Sequence, residues 1–310
     1  MIFGTTLFSL TPLWRFGATP VELLEQVAKC GPAIEVIGHQ SWRGFPQLDP
    51  ADERDWRDAV DRLGLRPAAL GVYTDLYRHA GRVLSEDEAF DELLPQIEAA
   101  ARLGFPVVRA TLGMAPGLLR RALVAAEANG VVLTFEIQGT TAPDAPAVLE
   151  VLALRAETGS PYLGFTLDFS LTTPELPGGL RTALLRLGLP GEAVDAVYRA
   201  RGRMGEALGI VAGNPMQTML VAGVLGRCGT TQPADWAHVL PAVVHAHAKF
   251  WDTDLETVRE PHGAWIAALA GAGYDGAVVS EWGGHELLEL ADADPIALTR
   301  AHLDLLEAVA

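Results

Sequence analysis

Residues 243–251 read Val-Val-His-Ala-His-Ala-Lys-Phe-Trp, an alternation of small or apolar side chains with two histidines and a lysine. In a β-strand successive side chains point to opposite faces, so His245, His247 and Lys249 share one face and the residues between them share the other. A strand of a parallel sheet that is covered by helices normally has two apolar faces. The polar face therefore predicts a strand that runs into a functional site while its other face packs in a core.

The same kind of strand recurs along the chain, and a helical pattern follows each time. Capping boxes at Thr19–Glu22 and Ser85–Glu88 open two of these helices, and Asn129-Gly130 ends another. Eight such units in 310 residues are typical of a (β/α)8 barrel, the TIM barrel of the α/β class, and we predict one barrel domain over residues 1–310. The predicted strands are Ile2 to Leu10, Ala33 to Gly38, Arg66 to Tyr73, Pro106 to Leu112, Val131 to Gln138, Tyr162 to Phe169, Val243 to Trp251 and Gly276 to Glu281.

One connection is too long for a plain crossover. About 70 residues separate the sixth strand from the seventh, where about half that number would be enough. Three stretches in it have helical patterns, Leu180 to Leu187, Gly191 to Arg203 and Pro215 to Leu225. We predict a helical insertion over residues 172–241, between strands 6 and 7, that caps the barrel mouth; a subunit contact with no role at the site is the alternative.

Composition and charge exclude several classes of protein. Hydrophobic residues make up 49% of the chain and the formal net charge is −16, which is typical of a compact protein and opposes binding to nucleic acid. We found no signal peptide and no uncharged apolar run of about 18 residues, so we expect a cytoplasmic protein without a membrane segment. Cys30 and Cys228 lack disulfide or zinc spacing and are predicted to be buried thiols.

Polar residues close four consecutive strands, the fifth to the eighth: Glu136, Asp168, His247 and Glu281. Chemistry in TIM barrels lies at the carboxyl ends of the strands, so we expect these side chains to meet. Buried carboxylates repel one another and lose hydration, and one divalent cation is the simplest compensation. Three oxygen ligands and one imidazole suit Mn²⁺, Mg²⁺ or Co²⁺ better than a structural zinc, and Mn²⁺ is the ion that we expect.

A divalent cation at the ends of these strands indicates sugar chemistry. It can bind two neighbouring oxygens of a sugar and lower the barrier to an enediolate, which leaves paired carboxylates to move the proton. Glu136 and Glu281 are the expected pair. Lys249 is a third candidate for the catalytic set, and an ion pair with the carboxylates is its alternative role.

At these residues the chain resembles the xylose isomerase-like barrels, which include sugar isomerases, ketose 3-epimerases, inosose dehydratases and endonuclease IV. The resemblance covers nearly the whole chain, and the four strand-end residues match the family's metal-binding quartet in order and spacing. In the epimerases the first and last glutamates of the quartet also act as acid and base. His-Ala-Lys-Phe at 247–250 and Gly-Tyr-Asp-Gly at 273–276 resemble the members called sugar phosphate isomerases/epimerases.

Two positions depart from the ketose epimerases. These carry a histidine three residues after the metal-binding aspartate, where this chain has Leu171, and an arginine shortly after the metal-binding histidine, where it reads Trp251-Asp252-Thr253. Lys249 is expected to replace the missing cation, as a lysine does in relatives resembling inosose dehydratase.

The resemblance implies a divalent-metal-dependent sugar isomerase or epimerase that moves a proton next to a carbonyl. A lyase acting on an oxidised sugar, similar to inosose dehydratase or to C-glycoside deglycosidases, is the alternative, and a non-catalytic sugar-binding barrel is a third hypothesis. The expected ligand is a small sugar or sugar derivative. A homo-oligomer and a small partner subunit remain open as assemblies.

Other residues at or beyond strand ends are predicted to contact the sugar, because loops there line the pocket and aromatic faces suit sugar C–H groups. For His245 the alternative is a hydrogen-bonded core histidine, and for Arg109 it is an ion pair with Glu35. We expect the other histidines in predicted loops or helices, His79, His238, His262 and His302, to lie on the surface. The predicted sugar contacts are Trp14, His39, Arg109, Gln138, His245 and Trp282.

Overall fold

The computed structural model of the chain describes residues 1–287 and 293–310. Eight parallel strands close into a barrel in chain order, and β8 pairs with β1. The predicted TIM barrel is confirmed, and every predicted strand is present with different ends. The prediction was wrong at the end of the first strand, which stops at Thr6, because Leu7–Leu10 forms a 3-10 helix. The strands are β1 Ile2–Thr6, β2 Ala33–Ile37, β3 Arg66–Gly71, β4 Val107–Thr111, β5 Val132–Ile137, β6 Leu163–Asp168, β7 Val243–Phe250 and β8 Ala277–Trp282.

Helices occupy the connections between the strands, and none in the described part of the chain is long and apolar enough to cross a membrane. They are α1 Thr11–Arg15, α2 Pro20–Val27, α3 Gly38–Ser41, α4 Pro50–Leu63, α5 Glu86–Leu103, α6 Pro116–Asn129, α7 Pro146–Thr158, α8 Gly178–Arg186, α9 Gly191–Arg199, α10 Met204–Val211, α11 Pro215–Gly226, α12 Glu256–Gly271, α13 Gly284–Leu287 and α14 Pro295–Val309.

The helix boundaries follow the capping signals of the sequence. At the start of α5 the Ser85 hydroxyl accepts from the backbone N–H of Glu88, and the Glu88 carboxylate accepts from that of Ser85 at 2.9 Å. α6 ends at Gly130, whose φ of +66° lies in the left-handed region that favours glycine. Cys30 and Cys228 are free and buried, as expected.

The strand register decides which strand-end residues stand side by side. Asp168 pairs with His247, and Lys249 pairs with Glu281 on the next strand. Phe250, on the opposite face of β7 from Lys249, is 1% exposed, and its ring centre lies 4.2 Å from that of His302 on α14. The predicted division of β7 into a core face and a polar face thus places the polar residues of β6, β7 and β8 next to one another.

The long connection between β6 and β7 contains four described α-helices, α8 to α11, where the sequence predicted three helices. Their buried residues, among them Leu180, Val194 and Val224, form a core cluster separate from that of the barrel. The backbone N–H groups of Gly178 and Gly179 donate to Asp252, in the loop after β7, at 2.8 and 3.3 Å. The role of this segment as a cap over the mouth stays a prediction.

Two histidines that we predicted to be at the surface are buried. His262 on α12 and His302 on α14 are 1% and 0% exposed, and their ring nitrogens Nδ1 and Nε2 lie 3.0 Å apart. The other nitrogen of His302 lies 2.8 Å from the Ser280 hydroxyl. Burial lowers the pKa of His262 to about 3, although its hydrogen bond to the backbone of Lys249 acts in the opposite direction. Burial also holds the pKa of His302 well below its usual value, and the nearby His262 adds to this.

This pair should make the protein less stable in acid. The unfolded histidines bind protons below a pKa of about 6.5, whereas the folded ones do not. Their contribution to the free energy of unfolding is therefore complete above pH 6.5 and is lost as the pH falls towards 3. Each histidine adds a slope of up to about 1.4 kcal/mol per pH unit to the free energy of unfolding. Urea unfolding between pH 5 and pH 7 measures it.

Other buried groups also change protonation in this pH range, so the pH slope of the wild type must be compared with the slopes of variants. The double variant His262→Gln, His302→Gln should have a smaller pH slope than the wild type. His79→Gln, at an exposed position, should keep the wild-type slope. Equal slopes in all three proteins would contradict the expectation.

Candidate functional site

The four polar strand-end residues come together inside the barrel. One ligand atom from each of Glu136, Asp168, His247 and Glu281 lies within 4.8 Å of the others. Nδ1 of His247 is 3.0 Å from Glu136, 2.9 Å from Glu281 and 4.0 Å from Asp168. All four side chains are less than a tenth exposed, with Glu136 the most accessible at 9%. We call these residues the quartet; their role as metal ligands stays a prediction.

The quartet fits a divalent cation by its chemistry. Oδ1 of Asp168 accepts from the backbone N–H of Ser170 at 2.7 Å, whereas Oδ2 is buried without a hydrogen-bond partner. Burial raises the pKa of Asp168 to about 7; Lys249 opposes the rise, and Glu281 and Glu136 add to it. An unpartnered carboxylate oxygen that faces two further carboxylates and an imidazole is where a bound cation would supply the missing charge.

Lys249 forms an ion pair with one member of the quartet. Its Nζ lies 2.6 Å from Oε1 of Glu281 and 5.3 Å from the centre of the Phe8 ring. Burial alone would raise the pKa of Glu281, but the charges of Lys249 and His247 outweigh it and hold the pKa well below its usual range. Glu281 is therefore ionised at neutral pH, with a cationic neighbour on each oxygen.

Glu35 is the site residue whose role the sequence did not reveal. It is fully buried on β2, and its Oε2 lies 2.9 Å from Nε2 of His245 and 2.5 Å from Nε2 of His247. The shorter contact is a charge contact, because Nε2 of His247 is not in hydrogen-bond geometry. With Glu35 behind the ring, Nδ1 of His247 faces the quartet, as a carboxylate behind a metal-ligating histidine would arrange it. A lone acid within the apolar strand Ala-Ile-Glu-Val-Ile was the available signal.

Arg109 links the two groups of acids. Its Nε donates to Glu35 at 3.0 Å and its Nη1 to Glu136 at 2.9 Å. Burial alone would raise the pKa of Glu35, but His247 and Arg109 hold it well below its usual value. Glu35, His245 and His247 also have the spacing of a metal site. Since Arg109 already compensates Glu35, the quartet is the better cation site of the two.

The other predicted sugar contacts are scattered. His245 is buried, and its Nε2 lies 2.9 Å from Oε2 of Glu35. This contact matches the alternative prediction of a hydrogen-bonded core histidine. Trp282 is 2% exposed and donates to the backbone of Trp251 at 3.0 Å. Within 1–287 and 293–310, no hydrogen bond, ion pair or ring contact joins Trp14, His39 or Gln138 to the quartet. The contact of these three residues with a sugar therefore stays a prediction. Trp14 lines a hollow of about 530 Å³, exposed His39 lines one of about 700 Å³, and Gln138 is half-buried after β5.

A bound cation should stabilise the folded protein. We expect Mn²⁺ to raise the melting temperature and a chelator to lower it, because the carboxylates gain or lose their compensation. At a free concentration of about 100 times Kd the stabilisation is about 2.7 kcal/mol. Differential scanning calorimetry with and without chelator is the measurement.

Two aspartate variants test the site, one in the quartet and one control outside it. Asp168→Ala should abolish the response to Mn²⁺, and Asp195→Ala, which removes an exposed acid that pairs with Arg181, should preserve it. Identical melting curves with Mn²⁺ and with chelator would rule out the cation site.

The fold of solved sugar epimerases matches that of this chain. D-psicose 3-epimerase from Clostridium cellulolyticum H10 aligns with a TM-score of 0.63 at 12% identity, covering 100% of this chain and 99% of that one. A xylose isomerase domain protein from Planctomyces limnophilus aligns with a TM-score of 0.51 at 14% identity, covering 92% and 90%. The resemblance to xylose isomerase-like barrels is confirmed at the level of the fold.

Similarity in sequence points to a narrower group, although no family model matches the chain. The C-glycoside deglycosidase alpha subunit of Arthrobacter globiformis is 33% identical over 321 residues, covering 98% of this chain and 90% of that protein. The 3'-dehydrocarminate deglycosidase alpha subunit of a Microbacterium species is 32% identical over 305 residues, covering 91% and 88%. With this identity over nearly its whole length, on a barrel of the xylose isomerase-like kind, the chain belongs to the family of C-glycoside deglycosidase alpha subunits.

Proposed function

We propose that the protein is a lyase that cleaves the bond between a sugar and an aromatic carbon in a C-glycoside whose sugar carries a carbonyl group. The observation that carries the proposal is the quartet, with Glu281 paired to Lys249, in a chain of the deglycosidase family. The resident cation is one divalent ion, for which Mn²⁺ is our expectation and Mg²⁺ and Co²⁺ the alternatives.

The reaction begins with proton removal beside the carbonyl. A carbonyl at C3 of the sugar makes the C2 proton acidic, and a base takes it. The electron pair then forms the C1=C2 double bond, the bond from C1 to the aromatic carbon breaks, and a proton is delivered to that carbon. Atoms and charge balance without an oxidant, since the products are an unsaturated keto sugar and the free aglycone. The cation, when bound, would polarise the sugar carbonyl.

The side chains of the site can divide this work. Glu281 on β8 and Glu136 on β5 lie 2.9 and 3.0 Å from Nδ1 of His247, so one can take the C2 proton while the other contacts a different part of the sugar. Lys249, 2.6 Å from Glu281, is placed to hold a negatively charged oxygen or to return a proton. Arg109 and Glu35 keep Glu136 and His247 in position from behind.

Isomerisation or epimerisation is the second candidate, because it begins with the same proton removal. The presence of two glutamates in the quartet favours it, because an epimerisation needs one acid and one base, whereas the structural likeness to epimerases concerns the fold alone. The deglycosidase relatives favour the lyase, which is the alternative that the sequence also implied.

A partner subunit is part of the proposal, since both relatives are named as alpha subunits. The insertion 172–241 is proposed as a cap over the barrel mouth, supported by its hydrogen bonds to Asp252 after β7 and to Thr140 after β5. We also propose a cytoplasmic location.

The test is incubation of the Mn²⁺-loaded protein with an aryl C-glucoside oxidised at C3, followed by mass spectrometry in deuterated water. We expect release of the aglycone, a conjugated sugar product and, in the isolated chain, exchange of the C2 proton. Epimer formation without aglycone would select the second candidate. Tight binding with neither exchange nor product would mean that the protein is a sugar-binding barrel.

A further inference from the structure

An apolar hollow lies at the carboxyl end of β4, and its lining includes none of the residues that the proposed chemistry uses. Its volume is about 270 Å³, and its walls come from the end of β4, from the loops after β3 and β4, from α5 as far as Leu93 and from the first turn of α6. The side chains that line it include Leu76, Leu84, Leu93, Leu112, Met114 and Leu118. We call this space the apolar hollow.

Part of the wall of the apolar hollow belongs to a small core cluster of its own. Leu84, Ala89 and Leu118 form a small buried cluster apart from the main core. Small-molecule pockets begin at about 300 Å³, so the apolar hollow suits one part of a ligand better than a whole ligand.

Exposed apolar side chains gather on the same loop. Val83, in the wall, is 51% exposed, and Tyr77 and Tyr73 are 76% and 41% exposed. Large apolar side chains left in water near a hollow are typical of a surface that binds a partner or ligand. Tyrosine faces in particular suit flat aromatic groups.

The wall of the apolar hollow includes a residue of the strand next to Glu136. Thr111, in its wall, pairs in register with Glu136 on the neighbouring strand, and paired strands lie about 4.8 Å apart. Thr111 also shares the face of β4 that carries Arg109, which is hydrogen-bonded to Glu136. A molecule with one end at Glu136 can therefore reach the apolar hollow by passing over the end of β4 at Thr111.

We propose that the apolar hollow binds the aromatic aglycone of the substrate, and that the aglycone is neutral and phenolic. The inference rests on the proposed function, which requires an aromatic group attached to C1 of the sugar. Glu86, at the start of α5, lines the apolar hollow and repels an aglycone that carries a carboxylate. The hydroxyls of Thr74 and Thr111 can bond phenolic groups.

The first test uses 7-hydroxyflavone, a flat phenolic probe without a sugar, in a fluorescence titration. Val83→Asp places a charge at the rim, and we expect it to raise Kd at least tenfold. Val124→Asp is the matched control on α6, where the valine is 65% exposed, and it should leave Kd unchanged. Ala89→Leu fills the apolar hollow from α5 and should also raise Kd at least tenfold; circular dichroism checks that each variant is folded.

The second test addresses charge. A flavone carboxylate should bind at least tenfold more weakly than 7-hydroxyflavone, and Glu86→Gln should remove most of that difference. Equal affinity of the two probes in the wild type would overturn the selectivity for neutral aglycones.

These tests distinguish the proposed aglycone site from the proposed reaction. Binding of 7-hydroxyflavone involves no bond cleavage, so it should be unchanged in Glu281→Gln. Cleavage of an oxidised aryl C-glucoside with the same KM in wild type, Val83→Asp and Ala89→Leu would overturn the aglycone site and leave the proposed function standing. Flavone binding that depends on Val83, without cleavage of any oxidised C-glycoside, would support the aglycone site and overturn the proposed function. Absence of flavone binding up to its solubility limit would overturn the aglycone site.

Discussion

Exchanging Glu281 for glutamine should lower turnover by a factor of about 10² to 10⁴, the usual loss when a general base is removed. Glutamine has the size of glutamate and keeps one ligand oxygen, but it cannot accept the substrate proton. Oε1 of Glu281 is 2.6 Å from Lys249 and Oε2 is 2.9 Å from His247, so the anion is held in place by two cationic neighbours. Release of aglycone and exchange of deuterium into C2 of the substrate are the measurements, and both should fall together.

The variant should still bind the cation, which calorimetric titration with Mn²⁺ checks. Glu256→Gln is the control, because it removes an exposed glutamate that pairs with Arg259 three residues away. If Glu281→Gln exchanged deuterium at the wild-type rate, Glu281 would be a ligand alone and the base would be sought at Lys249. Glu136→Gln should behave like Glu281→Gln if the reaction is an epimerisation with one residue on each face of the sugar.

Exchanging Arg109 for methionine should cost about 3 to 5 kcal/mol of unfolding free energy, which is typical when one partner of a buried ion pair is removed. Arg109 is 3% exposed and serves two buried acids, Glu35 and Glu136. Methionine has a similar length but no charge, so both carboxylates would remain buried without their neighbour. Urea unfolding at pH 7 measures the loss.

Arg120→Met is the matched control. Arg120 also makes two hydrogen bonds to a glutamate, Glu157, but both side chains are more than half exposed. Exposed pairs contribute about 0 to 1 kcal/mol, so this variant should lie within that range. A loss of less than 1 kcal/mol in both variants would show that Arg109 is not needed to compensate the acids.

The strands and the quartet could be predicted because their signals are local. Alternation along 243–250 and the apolar runs of the other strands specify strands within a few residues of their observed ends. Once the order of strands is that of a closed barrel, the end of each strand lies at the same rim, so Glu136 and Glu281 need no further information to be brought together.

Side-chain partners from distant strands could not be predicted in the same way. Glu35 was expected to pair with Arg109, and it does, but its contact with His247 joins β2 to β7, two strands that are far apart in the sequence. His262 and His302 have polar side chains and belong to helices on the outside of the barrel. Each is nevertheless buried, on the inner face of its helix. Helical periodicity did not decide their burial, because a hydrogen-bonded histidine fits either face.

The sequence by itself determined the barrel, the long sixth connection and the strand ends that carry the quartet, because each depends on a periodicity or spacing within one element. Only the tertiary structure decided that Glu35 stands behind His247, that Arg109 joins Glu35 to Glu136, and that the apolar hollow opens beside Thr111. These features depend on barrel closure and on how loops from different strands pack. That packing places atoms within 3 Å of one another without leaving a pattern in any single stretch of the chain.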